Sequence, residues 1–321
     1  MSALVSPLLS LDGAVAGDGP DAGVAAHYGS FHTEQRTLVA GDGFVDLSHR
    51  GVVRVSGPDR LAYLHSLTTQ RFEGLEPGRS VWALVLSPQG HVEHALHGSD
   101  DGEAFTAHVE PGAAPSLVEL LDRMRFMMRV EVADVTDEVA TVWRRGAYSL
   151  LPRAELATFA HAAGPACGLW AHEALRIERG EPRLGLDTDA RSIPNEMGWV
   201  GDPEGREGHS AVHLDKGCYR GQETVARVHT LGRPPRRLTL LHLDGSENRL
   251  PEPGTPLTYD GRACGFLGSA ARHHELGPVA LGLVKRNVPV DAPLDAAGMP
   301  VAQEVLVDPD VGMHVRPNLK G

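Results

Sequence analysis

Residues 213–223 read His-Leu-Asp-Lys-Gly-Cys-Tyr-Arg-Gly-Gln-Glu and set one thiol between two cations. A cysteine reacts as its thiolate, and the thiolate is favoured beside lysine or arginine and at a helix N-terminus. Lys216 and Arg220 flank Cys218, and the run from Gln222 onward could open a helix one turn later, aiming free N–H groups at the sulfur. The competing reading is a buried cysteine beside a glycine turn, with both basic residues solvated. The other cysteines, Cys167 and Cys264, are widely spaced and make no CxxC pair. Neither a disulfide framework nor a sequence-local zinc or iron–sulfur site is indicated. Cys167, beside Gly168-Leu169-Trp170, and Cys264, inside a strand pattern, read as core thiols.

A second candidate is Glu178, at the end of a predicted helix between Arg176 and Arg179. A surface ion pair there is worth little. A carboxylate at a helix C-terminus is mildly unfavourable with the dipole, which leaves room for a function. Asp187, Asp189, Asn195 and Glu196 match no metal-binding loop and read as solvated. His91, His94 and His97 lie on one predicted strand, where His91 and His97 share a face and His94 points away, so the three do not form a metal cluster. Arg233-Pro234-Pro235-Arg236-Arg237 reads as a stiff connector.

Several elements must position these groups. The stretch Gly57–Gln70 predicts a helix with Pro58 in its first turn and Leu61, Leu64 and Leu67 recurring every three residues. Val81–Gly98 predicts a hairpin turning at Ser87-Pro88-Gln89-Gly90. Leu117, Leu120, Leu121 and Met124 fit one apolar helix face. The helix from Trp170 should stop at Gly180, which takes the left-handed cap most readily. Mixed helices, strands and hairpins argue for an α+β fold. Residues 1–36 read as a mobile or lightly packed segment, 37–235 as the main domain, and 236–321 as a small C-terminal β-barrel of short strands and turns.

Composition bounds the function. Of 321 residues, 41% are hydrophobic, and 30 Lys+Arg against 42 Asp+Glu leave a net charge of −12. Stable nucleic-acid binding is disfavoured, because phosphate affinity needs a positive surplus. No segment reaches the roughly 18 apolar residues of a membrane helix. The start lacks the positive charge of a secretory signal, so a cytoplasmic protein is expected.

Residues 214–227, LDKGCYRGQETVAR, resemble the KGCYxGQE signature of the YgfZ-type folate-binding proteins, relatives of the glycine cleavage T protein. DLSH at 46–49, GPDRLAYLHSLTTQ at 57–70, LSPQGHV at 86–92 and the segment from Ala174 to Glu196 agree in order, and the resemblance runs from about residue 40 to about 305. It implies a T-protein-like folate-binding core of antiparallel sheets and helices around a central opening, with a β-barrel closing one side. It implies tetrahydrofolate or a one-carbon derivative as cofactor, with Glu178 on the pterin and Arg176 and Arg179 holding it. It implies a role in assembly or repair of iron–sulfur clusters, including those of radical enzymes that modify tRNA, with iron–sulfur client or assembly proteins as partners. Cys218 would be the poised thiol, Lys216 and Arg220 its activators, Gly217 and Gly221 the turn, and Gln222 and Glu223 the orienting groups around Tyr219.

One departure bears on mechanism. The T protein carries an aspartate where this chain is expected to have His94 and Ala95, with Glu93 one residue early and expected on the opposite face. Two alternatives therefore stand beside the leading reading: a folate-dependent aminomethyl or one-carbon transferase, and a folate-sensing protein-docking module.

Overall fold

Runs rich in Val, Leu and Ala form sheets here, and several, such as 139–143 and 279–284, are buried along their whole length, as strands covered on both faces are. The structure, a computed structural model, describes residues 4–201 and 210–314. Near the start, β1 (Val15–Ala16) and β2 (Ala25–His27) form a ribbon, followed by helix α1 (Phe31–Val39). Strands β3 (Phe44–Asp46), β4 (Gly51–Ser56), β5 (Ser80–Leu86), β6 (Val92–Asp100), β7 (Ala104–Val109), β8 (Glu131–Asp134), β9 (Val139–Arg144), β10 (Ala147–Pro152) and β11 (Ala166–Cys167) make two sheets. One has the order β5-β6-β7-β4-β8, and the other β10-β9-β3-β11, in which β11 runs parallel to β3.

Helices α2 (Arg60–Leu67) and α3 (Ala114–Met124) cover one face of the five-stranded sheet, where Tyr63, Leu64, Leu117 and Leu121 pack with Val53, Val85 and Phe105. Pro58 stands before the α2 N-cap Asp59 rather than inside the first turn. Helix α4 (Leu156–Ala163) covers the second sheet through Leu156 against Phe44 and Val142. Helix α5 (Leu169–Glu178) is central. Ala174 and Ile177 join Leu84, Leu86 and Val92 of the hairpin and Leu238 and Leu281 of the barrel in one core, while Leu175 joins Val45 and Trp143.

After α6 (Gln222–Leu231), six strands close a barrel: β12 (Arg236–Leu243), β13 (Pro256–Tyr259), β14 (Arg262–His273), β15 (Gly277–Lys285), β16 (Leu294–Ala296) and β17 (Met299–Val305), in the order β12-β15-β14-β13-β16-β17. Its interior holds Leu241, Leu257, Cys264, Leu267, Leu294 and Met299. The fold class is therefore as expected, α+β with a closed C-terminal β-barrel.

Three expectations change. Residues 4–36 are not a lightly packed lead-in: Leu8 and Val24 are buried and the Asp21 carboxylate binds Arg183 at 3.0 Å. Asp187 is not solvated. It is buried and accepts from Arg176 Nη1 at 3.0 Å, Arg183 N at 2.8 Å, and the N and Oγ of Ser269 on β14, each at 2.7 Å. A Cβ on Gly268 would stand 2.3 Å from its Oδ1, so only glycine allows that approach. Arg236, expected in a connector, lies in β12 and binds Asp189 Oδ2 at 2.6 Å and Glu196 Oε1 at 2.8 Å.

Candidate functional site

Between the open ends of the two sheets lies a cleft of about 1070 Å³, bounded by Gln70 and Trp82, by His97, by Tyr148, by the end of α5 and by His213–Asp215 of the cysteine segment. One wall is aromatic. Trp82 lies 4.6 Å from the ring of His97, and Tyr148 lies 4.7 Å from that of His108 and 6.1 Å from Trp82. Arg50 places its guanidinium 5.3 Å over the Tyr148 ring. A cleft of this size, with one aromatic wall and charged groups that include Arg71, Glu73, Arg79 and Asp215 around it, suits a planar heteroaromatic ligand with polar substituents.

Two of its charged groups, Arg179 and Glu181, come from the end of α5. Gly180 is left-handed at φ 69°, its N–H donates to Ile177 O at 3.0 Å, and the N–H of Glu181 donates to Arg176 O at 3.1 Å. This is a Schellman cap, with Glu181 at the second position beyond it. The cap turns Glu181 into the cleft, where Arg179 Nε donates to its Oε1 at 2.6 Å. Glu178 goes elsewhere: its carboxylate is 3.2 Å from Nε2 of His273 on β14, 43% exposed, and does not line the cleft. Arg176 does not hold it either. Buried Arg176 serves Glu173, Asp187 and Ser269 and ties α5 to the barrel.

The cysteine loop is built on two supports. Gly221 is left-handed at φ 80°, and a Cβ there would stand 2.4 Å from Ser87 O. Reciprocally, a Cβ on Gly90 would stand 2.6 Å from Thr224 Cβ, so the loop rests directly on the turn between β5 and β6. Gln222 accepts from Tyr219 N at 3.2 Å, a bond inside the loop. Glu223, expected as an orienting group, is exposed and pairs with Arg227 one turn along α6. Gly217 is not left-handed, and a Cβ there would make only an ordinary 3.8 Å contact with His65.

Neither flanking cation has its charge committed to the sulfur. Lys216 is buried, donates its ammonium to the carbonyls of His65 and Thr68 at the end of α2, and lies 4.9 Å over the Tyr219 ring. Burial lowers it to about 8, and the same cause raises Tyr219 to about 12. Arg220 Nη1 donates to Glu93 Oε2 at 2.9 Å. Cys218 is exposed and stands outside the cleft lining, whereas Cys167 and Cys264 are buried.

The strand that carries His94 and Ala95 is irregular. Val85 pairs with His94 and Leu86 with Val92, so Glu93 is the extra residue of a β-bulge. Bulges re-aim side chains, and this one turns Glu93 toward Arg220 rather than simply to the opposite face. Ala95 lines a pocket of about 30 Å³ behind the cleft with Arg50, His108 and Trp199. Position 95, read from the sequence as a departure from the acid of the resembled family, is a methyl group in that small pocket. Sequence reading had not singled out Trp82, His108, Tyr148, Arg50 or Glu181. Only Glu181 carried a local signal, its place after the helix-ending Gly180.

The described residues hold no cluster of three or more potential metal ligands of the His, Cys, Asp or Glu type, and no helix long and apolar enough to cross a membrane. The family model described as the GCVT N-terminal domain matches residues 11–150. Over 93% of this chain and 94% of the other, the fold superposes on the glycine cleavage system aminomethyltransferase T of Bartonella henselae with a TM-score of 0.76 and 17% identity. The two chains share one fold. A putative chloroplastic transferase of Arabidopsis thaliana is 27% identical over 80% of this chain and 69% of its own. A mitochondrial iron–sulfur cluster assembly factor IBA57 homolog of Mycosarcoma maydis is 26% identical over 60% of this chain and 55% of its own, and an aminomethyltransferase of Moorella thermoacetica is 24% identical over 80% and 82%. The chain is thus similar in sequence to these proteins, carries the GCVT N-terminal domain match over residues 11–150, and shares the T-protein-like fold.

Proposed function

We propose that this protein binds a reduced folate in the aromatic cleft and serves iron–sulfur cluster assembly or repair through the exposed Cys218 loop. One observation carries the reading: residues 213–215 of the cysteine segment form part of the wall of a cleft that also holds Trp82, Tyr148 and Glu181. Trp82 and Tyr148 offer ring faces to a pterin. Glu181, whose two oxygens accept from Arg179 Nε at 2.6 Å and Nη2 at 3.2 Å, lines the cleft and is the acceptor we assign to the pterin's amino and ring N–H groups. Glu178, the other candidate anchor, would have to leave His273 to reach the ligand.

Cys218 faces solvent rather than the cleft, which supports a thiol presented to a protein partner, such as a client enzyme with a cluster. The tRNA-modifying radical enzymes are the clients we would test first. The methyl side chain at position 95 argues against aminomethyl transfer, because that strand position offers no carboxylate to act on the transferred group. The test is calorimetric titration with tetrahydrofolate of the wild type, Glu181→Ala, Glu178→Ala and Cys218→Ala, beside cluster-dependent activity in cells depleted of the protein. The reading expects binding lost only in Glu181→Ala and cellular function lost in Cys218→Ala. Wild type that fails to bind tetrahydrofolate would end the folate part, and a functional Cys218→Ser variant would end the thiol part.

A further inference from the structure

The pocket of about 30 Å³ behind the cleft shares Trp82, Tyr148 and Glu181 with it, so one layer of side chains divides the two. The charged side chains that line this chamber are Arg50, Glu110, Arg176, Glu181 and Arg183. Four of them are matched in sign within the protein. Glu110 accepts from Arg183 Nε at 2.9 Å, Glu181 from Arg179 Nε at 2.6 Å, and Arg176 Nη1 donates to Asp187 at 3.0 Å. Arg50 is the exception: it is buried, and among the described residues no carboxylate pairs with it.

The guanidinium of Arg50 is held between two rings of the same chamber. Its carbon lies 5.3 Å over Tyr148, and Nη1 donates to Nδ1 of His108 at 3.3 Å. The N–H of Arg50 donates to Leu47 O at 2.9 Å in the turn that enters β4, which fixes the root of the side chain. Its Nε is buried and has no hydrogen-bond partner among the described residues. Burial, then the Arg50 charge, hold His108 well below the usual histidine range, so that ring stays neutral at pH 7 and adds no second cation. A buried guanidinium is costly unless an acceptor, best an anion, meets it.

We propose that the chamber is a binding site for a small monocarboxylate, of the size of formate, held on the Nε side of Arg50. A guanidinium edge presents two parallel N–H groups to the two oxygens of a carboxylate. The charges balance, one unmatched cation against one monoanion. A volume of about 30 Å³ is room for about two waters, which admits the three heavy atoms of formate and excludes an aromatic acid. Ala95 and Trp199 give the C–H an apolar seat. The site is separate from the cleft, and it stands or falls independently of the folate reading.

The full chain, labelled with nitrogen-15, is titrated with carbon-13 formate. The formate line and the Arg50 Nε–H resonance, assigned with Arg50→Met, are followed together. Saturable binding is expected, with a dissociation constant of roughly 1 mM, since so few heavy atoms cap the affinity. The Arg50 Nε–H should move with the same midpoint, and the formate proton should show a nuclear Overhauser effect to the Trp199 indole. Arg50→Met should bind more than tenfold more weakly, and benzoate, too large for the chamber, should not displace formate. Wild type without saturable binding, or an Arg50 Nε–H that stays still at saturation, would overturn the proposal. Displacement by equimolar benzoate would place the anion in the open cleft and overturn it equally. Unchanged affinity in Arg50→Met would do the same, and if that variant does not fold, the wild-type Nε–H shift and the benzoate competition decide.

Discussion

The ammonium of Lys216 is seated on the carbonyl of Thr68, the residue that caps the C-terminus of α2. A cation there satisfies orphan carbonyls and complements the negative end of the helix. The lysine of the cysteine signature is therefore a fastener between two segments distant in sequence, and Cys218 is displayed on the strap it fastens.

Replacing that fastener tests this role. Lys216→Met leaves the carbonyls of His65 and Thr68 without their donor, and should cost about 2 kcal/mol in urea unfolding with an unchanged slope. Hydrogen exchange of the 214–221 amides should rise in the same variant. A fully stable Lys216→Met with unchanged exchange would return the lysine to the role of a solvated flank.

The two glycines beside Cys218 should behave differently. Gly221→Ala forces a Cβ onto Ser87 O in a left-handed backbone, and we expect about 2–3 kcal/mol of destabilisation. Gly217→Ala, with neither obstacle, should stay within about 1 kcal/mol of the wild type. Thermal or chemical unfolding of the pair checks this, and equal effects would contradict the packing of the loop on the β5–β6 turn.

Acid sensitivity follows from His172. Burial pushes it down to about 4, with Glu173 opposing the shift. An unfolded histidine takes its proton near 6.5. Between these values the unfolded state binds more protons than the folded one, so stability falls as pH drops from about 6.5 to about 4, by up to about 3 kcal/mol from this residue. Buried His108 acts in the same direction. His172→Phe, still able to pack on Trp143, should flatten the slope in that window. An unchanged slope would place the acid sensitivity in other groups.

Asp187 gives the strongest stability prediction. Asp187→Asn keeps the shape but removes the charge facing Arg176 and puts donors where acceptors were. We expect a loss of about 3–5 kcal/mol, the range for breaking a buried pair. Calorimetry should show whether the barrel and the cleft domain then unfold separately. A loss below about 1 kcal/mol would mean that the pair does not hold them together.

How far the sequence could be read depended on how local each signal was. The end of α5 was legible because Gly180 acts within one turn, and the barrel because short strands with turn residues are repetitive. The direction of Glu178 was not legible, because His273 stands far along the chain on β14. For the same reason Lys216 and Arg220 were assigned to the sulfur: their actual partners, Thr68 and Glu93, are brought near by the β5–β6 hairpin and α2. The aromatic wall draws Trp82, His108 and Tyr148 from three separate strands, and no window of the sequence contains the set. Asp187 looked solvated among its charged neighbours, since nothing near it announces a serine on the barrel.

The reach of Asp187 to Ser269 also bears on how the chain is made. The carboxylate emerges during synthesis 82 residues before the hydroxyl and amide that complete its shell. Until β14 is present, the first two thirds of the chain carry a polar interior that is only partly satisfied. The barrel thus acts as the closing piece of the cleft domain, and a nascent chain cut short before residue 269 would be marked for quality control by its own unfinished core.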